Sequence, residues 1–61
     1  GQVVVVVANL QDEFAGEVQI PNWPGDGTWH EYINDYDIEA GGGTLTDTLA
    51  ESEVKVYIKA G

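Results

Sequence analysis

Sixty-one residues suffice for one small domain, 1–61, and its core must be thin, because chains of this size bury only about 60% of the surface they expose when unfolded. Eleven acidic residues face two lysines and no arginine, and the net charge of −9 repels phosphate groups, which excludes nucleic acid and anionic membranes as partners. There is no cysteine for a disulfide or thiolate metal site, the lone histidine argues against structural zinc, and no apolar run approaches the roughly 20 residues of a membrane helix.

Val3 to Ala8 is the first expected strand. Its five consecutive valines are β-branched and stiff at χ1, which suits a pleated surface better than a helix, and a run apolar at every position predicts a central strand covered on both faces. Asn9, Gln11 and Asp12 end it with turn-forming side chains. From Ala15, Val18 and Ile20 alternate with Glu17 and Gln19, predicting a second, half-exposed strand that Pro21 closes by removing a ladder donor. Both prolines, Gly25 and Gly27 crowd the stretch 21–27, which is therefore a loop, and it carries Trp23.

Thr28 to Ile33 is the third expected strand, with Trp29 and Ile33 on one face and His30 and Tyr32 on the other; the alternation leaves open which face turns inward. Asn34 to Glu39 gathers acidic and amide residues around Tyr36 and Ile38, and Gly41 to Gly43 form a turn where positive φ carries no steric cost. Thr44 to Leu49 puts Leu45 and Leu49 on one face and the threonines opposite. Glu53 to Lys59 alternates most regularly, predicting Val54, Val56 and Ile58 inward and Glu53, Lys55, Tyr57 and Lys59 outward on a strand near an edge. No segment sustains the helical i, i+3, i+4, i+7 pattern, so the expected fold class is all-β: a small antiparallel sandwich or sheet of five or six strands.

Three constellations have the residue types for chemistry. His30, Ser52 and an aspartate could in principle make a nucleophilic triad, but Ser52 lacks the G-x-S-x-G context and fits a turn before the last strand, so no catalytic residue is assigned. Asp35, Asp37 and Glu39 stand two apart, which on a strand places carboxylates on one face at intervals of about 6.6 Å, near the separations glycosidases use. The plainer account is a solvated outer face. The same oxygens could approach Ca²⁺, although the glycine comes at Gly41 and Thr46 stands where an EF-hand loop places its bidentate glutamate. Trp23, Trp29 and Tyr36 are the candidates for stacking on sugar rings. Trp23 leads because it lies in a loop, whereas Trp29, within a strand, suits a core or a domain interface. No cofactor is expected.

Taken in order, Val3-Val4-Val5-Val6-Val7-Ala8-Asn9-Leu10, Val18-Gln19-Ile20-Pro21, Gly27-Thr28-Trp29 and the closing Val54-Lys55-Val56-Tyr57-Ile58 form a pattern, with Asn34-Asp35, Gly41-Gly42, Leu49 and Ser52 at the intervening turns. The pattern resembles the C-terminal all-β domain of the α-amylase family, which includes α-amylases and glycogen branching enzymes. The resemblance implies a Greek-key β-sandwich appended to a (β/α)₈ barrel that lies outside these residues and holds the family's catalytic aspartate and glutamate. It implies a non-catalytic accessory domain that stabilises that barrel in a starch- or glycogen-active enzyme, secreted for an α-amylase and cytoplasmic for a branching enzyme. The alternative is a carbohydrate-binding module that grips α-glucan through exposed aromatics. Domains of this kind commonly place a strand before the valine run, so the resemblance implies either an open strand edge that a second copy of the chain could fill, giving a homo-oligomer, or the shorter five-stranded form of some amylases.

Overall fold

The computed structural model describes residues 2–11, 13 and 16–60, with the backbone alone at Ala60. Six strands form: β1 (Gln2–Ala8), β2 (Gly16–Ile20), β3 (Gly27–Glu31), β4 (Tyr36–Ala40), β5 (Leu45–Leu49) and β6 (Val54–Ala60). All pairings are antiparallel, in a four-stranded sheet of order β1-β6-β3-β4 and a two-stranded sheet of β2 and β5. The fold is therefore all-β, as the alternation predicts, and no helix occurs among the described residues. Asp12 and Ala15, where the sequence places a turn and the opening of the second strand, lie outside the described residues.

Only β3 and β4 are joined directly within a sheet, by the turn 32–35; every other connection crosses between the sheets. The tightest crossing leaves β4 for β5 through a two-residue turn. Gly41 and Thr44 exchange backbone hydrogen bonds of 3.1 and 3.2 Å around Gly42 and Gly43, whose φ angles of 64° and 74° are ones that side chains strain to adopt. Gly43 also ties down the 21–27 loop: its carbonyl accepts from the Trp23 amide at 2.8 Å, and its own amide donates to the Asp26 carboxylate at 3.0 Å.

Those two bonds set Trp23 over the core. Trp23, Trp29, Ala40, Leu45 and Tyr57 form the buried cluster, with Val5, Val7, Ile20 and Ile38 packed against it. The Trp23 ring meets Trp29 and Tyr57 edge to face, with centroids 5.2 Å apart in both pairs, the arrangement aromatic quadrupoles favour. The Trp29 indole N–H donates to the Gly25 carbonyl at 2.8 Å, while that of Trp23 is buried with no partner among the described residues.

Two expectations are corrected. The valine strand β1 is not central: among the described residues it pairs with β6 alone and forms an edge, so Val5 and Val7 reach the core while Val3, Val4 and Val6 remain exposed. β6, expected near an edge with its valines inward, is central, and its faces are reversed. Lys55 and Tyr57 point between the sheets, at 6% and 0% exposure, and Val54 is exposed. The reversal has a chemical cause on β5, where Asp47 stands between Leu45 and Leu49 on the inward face and supplies an anion that Lys55 and Tyr57 can reach and valines cannot use.

Candidate functional site

The register of the four-stranded sheet fixes what each face carries, because residues directly opposite across antiparallel strands share a face. Val5↔Tyr57, Glu31↔Tyr57 and Trp29↔Ile38 put one set toward the core. Val4↔Ile58↔His30↔Asp37 and Val6↔Val56 then belong to the opposite, outer face, together with Ala8↔Val54 and Thr28↔Glu39. Tyr32 extends this face, since its amide donates to the Val56 carbonyl at 2.8 Å one step beyond the last β3–β6 pair.

The outer face is thus apolar along β1 and β6 and polar along β4. Val4, Val6, Val54 and Tyr32 are 43–68% exposed and adjoin the half-buried Val56 and Ile58. A sheet that alternates apolar-in and polar-out needs only one cover. Here β1 and β6 carry apolar residues outside as well, and no described residue covers them. The notion of a valine run covered on both faces was correct about its chemistry and wrong about its surroundings within this chain.

At the polar end of the face, His30 lies between two carboxylates. Its Nδ1 is 2.7 Å from Asp37 and its Nε2 3.0 Å from Asp35, which sits in the 32–35 turn at φ 60°. The Asp37 hydrogen bond above all, aided by the charges of Asp37 and Asp35, raises the imidazole above its ordinary value against the opposing effect of desolvation. Glu39 accepts a hydrogen bond from Thr28 Oγ1. The acidic trio of the sequence therefore divides: Asp35 and Asp37 converge on His30 and Glu39 serves the β3–β4 pair. All three are exposed, and among the described residues no group of three or more His, Cys, Asp or Glu side chains is placed to hold a metal ion.

Between the sheets lies a polar cluster that the sequence did not announce. Asp47 Oδ2 accepts from the Tyr36 hydroxyl and, at 2.6 Å, from the Tyr57 hydroxyl, and lies 3.5 Å from Lys55 Nζ. Lys55 Nζ donates to the Tyr36 hydroxyl at 2.9 Å and has Glu53 at 3.9 Å. Burial alone would raise the Asp47 carboxyl, but the two tyrosine hydroxyls, the Thr48 amide and Lys55 outweigh it and hold it below its ordinary value. Burial, followed by the bond to Asp47, pushes the Tyr36 and Tyr57 hydroxyls up. Desolvation opposes the Lys55 charge, yet Tyr36 and Asp47 prevail and hold the ammonium above its ordinary value. Every polar member is partnered, so the cluster fastens β4, β5 and β6 to one another.

The aromatic candidates are placed by the same geometry. Trp23, at 5% exposure, is a core residue and not the exposed loop aromatic that its Pro/Gly setting suggests, because the Gly43 bonds fold its loop down onto Trp29 and Tyr57. Trp29 is wholly buried, and Tyr36 is half-buried with its hydroxyl committed to Asp47 and Lys55. Ser52 lies in the 50–53 turn at φ 51°, its amide bonded to the Gln11 carbonyl at 3.0 Å. Among the described residues no pocket is formed. The sequence alone does not single out Asp47 or Glu31 and turns Lys55 outward, whereas it sets Tyr32 beside His30 on a face whose direction it leaves open. The signal for Asp47 was available, since a period of two places it on the Leu45–Leu49 face. No family model matches the chain, and no curated protein or solved structure matches it.

Proposed function

We propose that this chain is a non-catalytic accessory β-module of an α-amylase-type enzyme acting on starch or glycogen, docked on the catalytic barrel of that enzyme by the outer face of its four-stranded sheet. The observation that supports the reading is the uncovered apolar surface of Val4, Val6, Val54 and Tyr32 beside Val56 and Ile58. Each valine that passes from half exposure to full cover contributes about 1 kcal/mol, and a neighbour in the same polypeptide forgoes most of the association entropy that separate molecules lose. A small module on such a neighbour stabilises it while being stabilised in turn.

The test is to join the chain to an α-amylase-type barrel stripped of its own C-terminal domain and to follow thermal inactivation of the barrel. The barrel is expected to outlast the stripped form, and the gain is expected to vanish when Val6→Lys and Tyr32→Lys place charges in the face. Equal inactivation with and without the chain removes the docking role. Glucan binding through Trp23 and Trp29 would require rings that the fold has covered. Millimolar maltooligosaccharide is accordingly expected to leave the tryptophan fluorescence unchanged, and a saturable change would favour the carbohydrate-binding alternative.

A further inference from the structure

Among the described residues β1 has one hydrogen-bonded neighbour, β6, and its other side is open. The Asn9 amide donates to the Glu53 carbonyl at 2.8 Å, one step beyond the Ala8↔Val54 pair. Bonded pairs alternate along an antiparallel ladder. Val7, Val5 and Val3 therefore bond toward β6, and Gln2, Val4, Val6 and Ala8 turn their N–H and C=O groups to the open side. The Tyr32 to Val56 bond fixes the same alternation from the other flank, since it gives Val56 and Ile58 to β3 and leaves Lys55, Tyr57 and Lys59 for β1.

Exposed edges are normally guarded by charge, proline or a bulge. β1 has none of these: its residues are QVVVVVA, and its register with β6 runs unbroken from Gln2↔Ala60 to Ala8↔Val54. The opposite edge is guarded, for β4 carries Asp37 and Glu39, and β2 in the smaller sheet carries Glu17. In a molecule of net charge −9, the unguarded edge is also a charge-free one.

We propose that this edge takes a second copy of the chain, β1 against β1 antiparallel about a twofold axis at Val5, joining two four-stranded sheets into one. In that register Val4 meets the partner's Val6 and Gln2 meets the partner's Ala8, so all the outward groups of both strands are bonded, each pair exchanging two hydrogen bonds. Side chains match as well. Val4 lies beside the partner's Val6 on the outer face, and Val3 beside the partner's Val7 on the inner one, β-branched pairs that favour each other across strands. A partner strand must be uncharged and apolar on both sides of its pleat, and β1 itself meets both demands. The charges of each copy lie away from the seam, so the opposing force is long-range repulsion, which salt screens. Val4 and Val6 belong to both the seam and the proposed docking face, whereas Tyr32 belongs to the docking face alone and separates the two roles.

Sedimentation equilibrium of the 61-residue chain, from micromolar to millimolar protein at low and high salt, tests it. The expected result is a dimer whose dissociation constant falls roughly tenfold as salt rises. Val6→Pro deletes an amide that bonds nothing in the monomer and is expected to weaken the dimer by at least about tenfold. Val6→Lys reduces the net negative charge and would tighten a dimer formed elsewhere; at this seam it is expected to weaken it, and Val6 is exposed enough in the monomer to accept lysine. Tyr32→Ser, on the outer face, is expected to leave the association unchanged. A chain that stays monomeric throughout overturns the proposal. So does a dimer that survives both Val6 variants, or one that Tyr32→Ser abolishes.

Discussion

Glu31 has no exposed surface, yet its carboxylate accepts from the amides of Ile33, Asn34 and Val56 and from the Asn34 side chain. Desolvation pushes this carboxyl up, but the Val56, Asn34 and Ile33 bonds outweigh it and hold it below the ordinary value. Glu31→Gln exchanges one acceptor oxygen for a donor facing other donors, and is expected to lower stability by about 2–3 kcal/mol in urea titration. Glu31 and Asp47 both titrate lower in the folded state, so their contribution is complete above the unfolded carboxylate range and is lost as pH falls through the lower folded values. The urea midpoint should accordingly decline on acidification below about pH 4.5, and less steeply in Glu31→Gln. The two tryptophans make a paired test: benzothienylalanine, which replaces the indole N–H by sulfur, should raise the melting temperature at Trp23, whose donor is unpartnered, and lower it at Trp29, which loses its bond to Gly25. None of this was readable residue by residue. A charged residue in a short strand reads as outward-facing unless its partners on other strands are known: besides its neighbours Ile33 and Asn34, Glu31 accepts from Val56, 25 positions away, and Lys55 donates to Tyr36, 19 positions away.

At the level of elements, five of the six strands, their limits to within a residue or two and the Gly41–Gly43 turn were legible, because period-two alternation and turn chemistry are local properties, whereas β4 was read as an acidic stretch with its strand character left open. Which face of a strand turns inward is not local. β6 alternates so regularly that its reversal inverts every assignment along it, and only partners beyond the strand, Asp47 for Lys55 and Tyr57 and the Trp23 ring for Tyr57, decide between the two. β1 shows a related ambiguity: a strand apolar on both sides states that two faces seek cover without saying whether both covers belong to the same chain. The 41–44 turn offers a clean measurement, since a Cβ at Gly42 would touch nothing within 4 Å and its φ is 64°. Gly42→Ala is expected to cost about 1 kcal/mol from backbone strain alone, and D-alanine at the same position to stabilise, both read from thermal melts.

For the molecule as a whole, a thin core is set against a charge of −9 spread over a small surface. Raising salt from about 0.01 M to about 1 M shortens the Debye length from about 30 to about 3 Å and should raise the melting temperature by about 5 °C, with the buried Lys55–Asp47 contact little affected. The placement of the two lysines reaches further than electrostatics. Both lie on β6, which is hydrogen-bonded to β1 on one side and β3 on the other, and the sequence holds no arginine. Trypsin at Lys55, whose side chain is buried against Asp47 and whose strand pairs with β1, must wait for the four-stranded sheet to open, so its rate of cleavage there counts opened molecules. A protease specific for glutamate meets Glu51 in the exposed 50–53 turn and can cut while the sheets are intact. Used side by side, the two enzymes become separate clocks on one molecule, one timing global opening and the other the opening of a single turn.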